Sequence, residues 1–125
     1  MEKKIIDTKK APAPVGPYSQ AILKNGLLFI SEQIPIDPKS GQAIPPDIET
    51  ETKQVMENLK AILLEAGMNF DNVMKATIYL KDMRGYSKMN EVYGSYFENN
   101  FPVRETVEVS GLPRNVSLEI SVIAG

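Results

Sequence analysis

The sequence contains no cysteine and no histidine among its 125 residues. The first absence removes thiolate nucleophiles, disulfides and cysteine-based zinc sites. The second removes imidazole as a general base, metal ligand or triad member. No Gly-rich phosphate loop of the GxGxxG or GxxxxGK[ST] type is present, so a bound nucleotide is not expected. No apolar run approaches the roughly 18–20 residues of a membrane span. The start of the chain, MEKKIIDTKK, lacks the apolar stretch of a signal peptide. The expected compartment is therefore the cytoplasm. Charge of one sign is also missing. Fourteen Lys and Arg face 16 Asp and Glu, for a formal net charge of −2, and no long like-charge block occurs. Binding to a nucleic-acid backbone is not favoured on that balance. What remains for chemistry is carboxylates, hydroxyls, arginine, lysine, backbone groups or an external cofactor.

What is present is an ordinary globular mix, 42% hydrophobic and 24% charged, of a length that suits one domain over residues 1–125. Pro12, Pro14, Gly16 and Pro17 make a stiff early loop. Asn25-Gly26 inside AILKNGLLFIS signals a two-residue type I′ hairpin turn, because both central residues of that turn need positive φ. Residues 47–66 carry apolar side chains at helical spacing (Ile48, Val55, Leu59, Ile62, Leu63, Ala66). Asp47 is placed to cap that helix and Gly67 to end it. VMKATIYL alternates, with Met74, Ala76, Ile78 and Leu80 on one face. A second helix is expected from about Met83 to Glu98, burying Tyr86, Met89, Tyr93 and Phe97. FPVRETVEV and VSLEISVIA read as two closing strands, and residues 3–7 as a possible extra one. Two helices on one face of a sheet make an α+β layer. The sheet's other face is expected to carry Arg104, Thr106, Glu108 and Glu119, and to suit contact with another subunit.

A hairpin between the last two strands, with Val109 opposite Val116, sets Thr106 opposite Glu119. Arg104 and Glu119 are then diagonal neighbours on one face, about 7–8 Å apart. Arg is permanently charged and offers a planar fork that matches a carboxylate. Glu passes a proton to and from water if burial raises its pKa. Together they suit a small acid with an electrophilic carbon. The plainer reading is a cross-strand ion pair worth less than about 1 kcal/mol.

GPYSQA (16–21), FISEQIPIDPKSGQ (29–42), NEVYGSYF (90–97), FPVRETVEVSGLP (101–113) and LEISVIA (118–124) resemble the RidA family, the reactive intermediate or imine deaminases, also called YjgF or L-PSP. The resemblance spans nearly the whole chain, with the motifs in family order and spacing. It implies a chorismate-mutase-like fold, a mixed β-sheet with two helices on one side. It also implies a homotrimer with clefts between neighbouring chains. The implied activity is hydrolysis of 2-enamine and 2-imino acids, such as 2-aminoacrylate and 2-iminobutanoate, to 2-keto acids and ammonia, with no cofactor and no metal. Residue by residue, Arg104 matches the arginine that binds the substrate carboxylate, and Glu119 the glutamate that positions water. Tyr18 and Ser31 match the cleft wall, and Asn90 a cleft-side asparagine.

Two positions depart from the family pattern. Thr106 stands where a cysteine is usual, and it keeps a polar group of similar size. Glu32 stands in Ser31-Glu32-Gln33 where the family reads Ser-Gly-Gln. That side chain has three places to go: into the cleft, where it repels a substrate carboxylate; out to solvent; or onto Arg104 as an ion pair. The alternatives to a deaminase are a regulatory module that binds a small carboxylate without turnover and, from an older family label, an endoribonuclease.

Overall fold

The structure is a computed structural model describing residues 2–125. Its elements run β1 (Lys4–Ile6), β2 (Ala21–Lys24), β3 (Leu27–Gln33), α1 (Ile48–Glu65), β4 (Val73–Leu80), α2 (Tyr86–Gly94), β5 (Val103–Glu108) and β6 (Leu118–Ala124). The strands form one sheet in the order β1-β2-β3-β6-β4-β5. Every neighbouring pair is antiparallel except β4–β5.

The local signals explain most elements. Asn25 and Gly26 have φ of 53° and 78°, so the β2–β3 turn has the two left-handed residues that its twist requires. The Asp47 carboxylate accepts from the Thr50 amide and caps α1, and Gly67, at φ 75°, follows its last turn. Val55, Met56, Leu59, Ile62 and Leu63 form the buried stripe of α1, which packs on β3, β6 and α2. Glu51, also buried, accepts from the amides of Asp47 and Ser117 and so ties the start of α1 to the start of β6.

Three expectations change. Met74 is exposed rather than buried. A register shift between Val73 and Lys75 puts Val73 into the core and turns Met74 out, whereas Ala76, Ile78 and Leu80 stay fully buried. The second helix is shorter than its apolar pattern, ending at Gly94. Phe97 remains buried beyond it through ring contacts with Tyr93 and Phe70 at 5.0 and 5.5 Å.

The third change matters most. β5 and β6 do not form a hairpin. β5 lies parallel to β4, with Arg104 beside Ala76 and Thr106 beside Ile78, and β6 is inserted between β3 and β4. The loop from 109 to 117 steps across the end of β4, held by Val109 N–H to the Leu80 carbonyl and Lys81 N–H to the Ser117 carbonyl. The reason lies in burial. Ala76, Ile78 and Leu80 on β4 and Leu118, Ile120 and Val122 on β6 are buried and take the middle of the sheet. The strand carrying Arg104, Thr106 and Glu108 goes to the edge, where charge reaches water.

Paired residues share a face, so Arg104, Thr106 and Glu108 point to the helix side with Ala76, Ile78 and Leu80. Glu119 pairs with Tyr79 and points to the opposite side. The expected common face for Arg104 and Glu119 is therefore not present within one chain. The helix-free face is apolar for an open surface. Ile5, Phe29, Val103 and Val107 lie on it and are 60%, 45%, 69% and 46% exposed.

Candidate functional site

The sequence-derived site residues separate into two groups. The first gathers on β5 and α2. The Arg104 guanidinium donates to the Tyr86 hydroxyl at 3.0 Å and lies over the rings of Tyr86 and Tyr93, 5.6 and 5.1 Å from their centres. No carboxylate pairs with it among the described residues. Around it, Asn90 Oδ1, Tyr93 Oη and Thr106 Oγ1 are buried without a hydrogen-bond partner. Asn90 and Tyr93 are one turn apart on α2, and Thr106 lies two residues along β5 from Arg104. Burial pushes the Tyr93 phenol up to about 12, against the pull of the Arg104 charge. That hydroxyl stays protonated, available to donate. An unpaired buried polar atom costs about 1–3 kcal/mol. The Tyr93 and Thr106 hydroxyls can donate to an anion held by the Arg104 cation, whereas Asn90 Oδ1 accepts and suits an N–H or O–H of the same ligand.

The second group lines a cavity of about 410 Å³ formed by Val15, Tyr18, Ser31, Glu32, Ile34, Pro113 and Glu119. It lies where β3 is bulged. Between the pairs Ile30–Val122 and Gln33–Ile120, the two residues Ser31 and Glu32 oppose the single residue Ser121. The bulge turns Glu32 into the cavity wall. Of the three directions open to Glu32, an ion pair with Arg104 of the same chain is not the one taken. The Ser31 hydroxyl donates to the Gln20 carbonyl at 3.1 Å, leaving its lone pairs for a ligand. The Tyr18 hydroxyl accepts from the Val15 amide at 3.2 Å. The Glu119 carboxyl is held above the usual glutamate range, first by burial and then by the charge of Glu32. Among the described residues no group of three or more carboxylates is placed to hold a metal ion.

Tyr86 and Tyr93 read in sequence as packing positions of a helical stripe. The signal that distinguishes them from Met89 and Phe97 is a hydroxyl on an otherwise apolar face. Gln20 also gave no functional signal. It is buried, and its amide accepts from Thr8 N–H while donating to the carbonyls of Thr8, Ala11 and Pro12. It fastens the loop that carries Val15 and Tyr18. Gln20→Ala leaves those backbone groups unpaired and is expected to cost about 2–3 kcal/mol in chemical denaturation. Unchanged stability contradicts this role.

The profile of the family described as Endoribonuclease L-PSP matches residues 8–125. The chain belongs to the RidA/YjgF/L-PSP family. A RutC family protein of Pyrococcus horikoshii is 54% identical over 122 residues, covering 98% of this chain and 97% of that protein. A 2-iminobutanoate/2-iminopropanoate deaminase of Bos taurus is 46% identical over 122 residues, covering 98% of this chain and 89% of that protein. The crystal structure of a Rid family protein of unknown function from Yersinia pestis superposes with a TM-score of 0.97 at 48% identity, covering 99% of each chain. The family includes imine deaminases and structures with the same mixed sheet and two helices. Among the described residues no helix is long and apolar enough to cross a membrane.

Proposed function

We propose that this chain hydrolyses reactive 2-enamine and 2-imino acids, among them 2-aminoacrylate and 2-iminobutanoate, to 2-keto acids and ammonia. The observation that carries this reading is the Arg104 cluster, a cation without a carboxylate partner, set among three unpaired buried polar atoms. Arg104 holds the substrate carboxylate. Thr106 and Asn90 supply hydrogen bonds beside it. The substrate reacts as the iminium, with a proton drawn from solvent; an enamine reaches that state by taking the proton at C3. Glu119 takes a proton from water as the water oxygen bonds to the iminium carbon, giving the carbinolamine. Glu119 then returns that proton to the amine nitrogen, the carbon–nitrogen bond breaks to release ammonia, and the hydroxyl loses its proton to solvent as the carbon–oxygen double bond forms. Tyr18 and Ser31 form the wall of the cleft. A positioned acid/base contributes about 10²–10⁴-fold, enough for substrates that also hydrolyse unaided. The reaction needs no cofactor.

In one chain the clamp and the base lie on opposite sides of the sheet. Joining them takes two chains, and the arrangement proposed is the homotrimer that the family resemblance implies, with the helix-free faces inward. The exposed apolar side chains on that face support it. The test generates imines in place with a dehydratase or an amino-acid oxidase and follows keto-acid formation against a semicarbazide trap. Acceleration by the protein is expected. No acceleration overturns the reading. Light scattering is expected to give about three chain masses of 13.9 kDa each, and a monomer mass overturns the shared cleft.

The sign of the pH dependence follows from Glu119. It orients water as the carboxylate, so kcat/KM rises with pH through its pKa. Burial and Glu32 both move that limb above the usual glutamate range. Glu32→Gln removes the second cause and is expected to shift the limb to lower pH. A limb that stays in place shows that Glu119 is not the titrating base. The position of Glu32 beside Glu119 also favours a second reading, a carboxylate-binding regulatory module. Ligand binding without turnover in the same assay identifies it.

A further inference from the structure

Glu32 is the feature of the cavity that the hydrolysis itself does not use. Nothing in the proposed chemistry needs a second carboxylate beside Glu119, and the family pattern has glycine there. The bulge in β3 nonetheless places this side chain on the cavity wall. Three further observations bear on what it does there. The cavity, at about 410 Å³, lies within the range of sites that hold drug-sized ligands. On a single chain, without the neighbour that brings Arg104, that is more room than an imino acid of three or four carbons fills. Val15, Ile34 and Pro113 give it an apolar wall, with the ring of Tyr18 adding to it, and an apolar wall suits a methylene stem. Its charged lining consists of Glu32 and Glu119, with no lysine or arginine. Glu32 is exposed whereas Glu119 is partly buried, so Glu32 lies nearer the mouth.

An apolar wall beside a carboxylate matches a side chain with an aliphatic stem and a cationic head. It opposes one that ends in a carboxylate, because like charges in a partly desolvated cleft repel. We propose that Glu32 makes this cleft selective for 2-imino acids whose side chain carries a positive charge, with the Glu32 carboxylate receiving the cationic head. The inference rests on the deaminase reading for its reaction, but the selectivity is a property of binding and is measurable without turnover. Arg104 of a neighbouring chain still holds the α-carboxylate, so substrate and site each present charges of both signs in complementary places. A planar guanidinium head pairs with a carboxylate in two parallel hydrogen bonds and is the better match of the cationic heads.

The test compares imines generated in place from arginine, leucine and glutamate by a broad amino-acid oxidase. Wild type, Glu32→Gln and Glu32→Gly are compared. In parallel, calorimetric titration compares two stable product analogues, 5-guanidino-2-oxopentanoate and 4-methyl-2-oxopentanoate. The wild type is expected to favour the arginine-derived imine over the leucine-derived one by about 10-fold in kcat/KM, with the glutamate-derived imine slowest. The guanidino keto acid is expected to bind about 10-fold tighter than its neutral counterpart. In both Glu32 variants these ratios fall to about one.

Equal ratios in wild type and variants overturn the inference and leave the deaminase reading standing. A uniform rise in activity on all three imines in both variants also overturns it, and shows Glu32 acting as a plug of the cleft. If no imine is accelerated, the deaminase reading falls, and the titration alone decides whether Glu32 selects cationic ligands.

Discussion

Arg104→Ala is expected to lower kcat/KM for imine hydrolysis by about 100-fold or more, with the protein still folded. The side chain is the one cation in a cluster whose other polar members are neutral: Asn90, Thr106, Tyr86 and Tyr93. Alanine leaves the substrate carboxylate facing neutral groups in a partly buried place, where an unpaired charge is costly. Arg104→Lys keeps the charge but not the planar fork. It also loses the geometry that lets the guanidinium lie over two rings while donating to Tyr86. It is expected to recover only part of the loss. Circular dichroism and thermal melts separate this from unfolding. Arg104 is on an edge strand and only partly buried, and the core residues Ala76 and Ile78 beside β5 are untouched by the change. Wild-type rates in Arg104→Ala contradict the clamp.

The second large effect comes from mixing two inactive proteins. Arg104→Ala and Glu119→Gln each remove one half of the chemistry, and each alone is expected to be nearly silent. Because the two side chains lie on opposite sides of the sheet, the proposed site takes its Arg104 and its Glu119 from two chains. Subunit exchange between the two variants, by co-refolding or co-expression, joins an intact Arg104 from one chain to an intact Glu119 from another. With random assembly into rings of three, about a quarter of the interfaces carry both intact residues. Activity is therefore expected to return to about a quarter of wild type. No recovery in demonstrably mixed oligomers contradicts a cleft shared between chains. High activity in either variant alone contradicts the assigned roles.

Much of the architecture was legible along the chain. The left-handed turn at Asn25-Gly26, the Asp47 cap, the Gly67 stop and the period of α1 are local features, fixed by a few adjacent residues. The structure reproduces them for that reason. Of the expected α2 stripe, Met89, Tyr93 and Phe97 are buried, whereas Tyr86 is exposed, and Gly94 ends the helix before the stripe ends. Tyr93 carried two roles in that stripe, and only the packing one was visible. Its hydroxyl matters because Arg104 comes to lie over its ring, and Arg104 is on a different element.

Strand pairing was where sequence order misled. β5 and β6 are consecutive, and adjacency suggested a hairpin. Their order in the sheet is instead decided by a comparison among strands. β4 and β6 bury their apolar sets on both flanks, whereas β5 presents Arg104, Thr106 and Glu108 on the same side and occupies the edge. That comparison is invisible in any one segment, because alternation fixes which residues of a strand share a face but not which strand lies beside it.

By itself, the sequence determined the chemistry available: no thiol, no imidazole, and a set of carboxylates, hydroxyls and one arginine in a motif that resembles the imine deaminases. It also determined the secondary elements, since turns, caps and apolar periods act over a few residues. The tertiary structure alone decided that Arg104 and Glu119 lie on opposite sides of the sheet, and that Glu32 lies beside Glu119 rather than Arg104 of the same chain. The first depends on long-range competition among strands for the buried centre of the sheet. The second depends on one extra residue in β3, a bulge that only pairing with β6 defines.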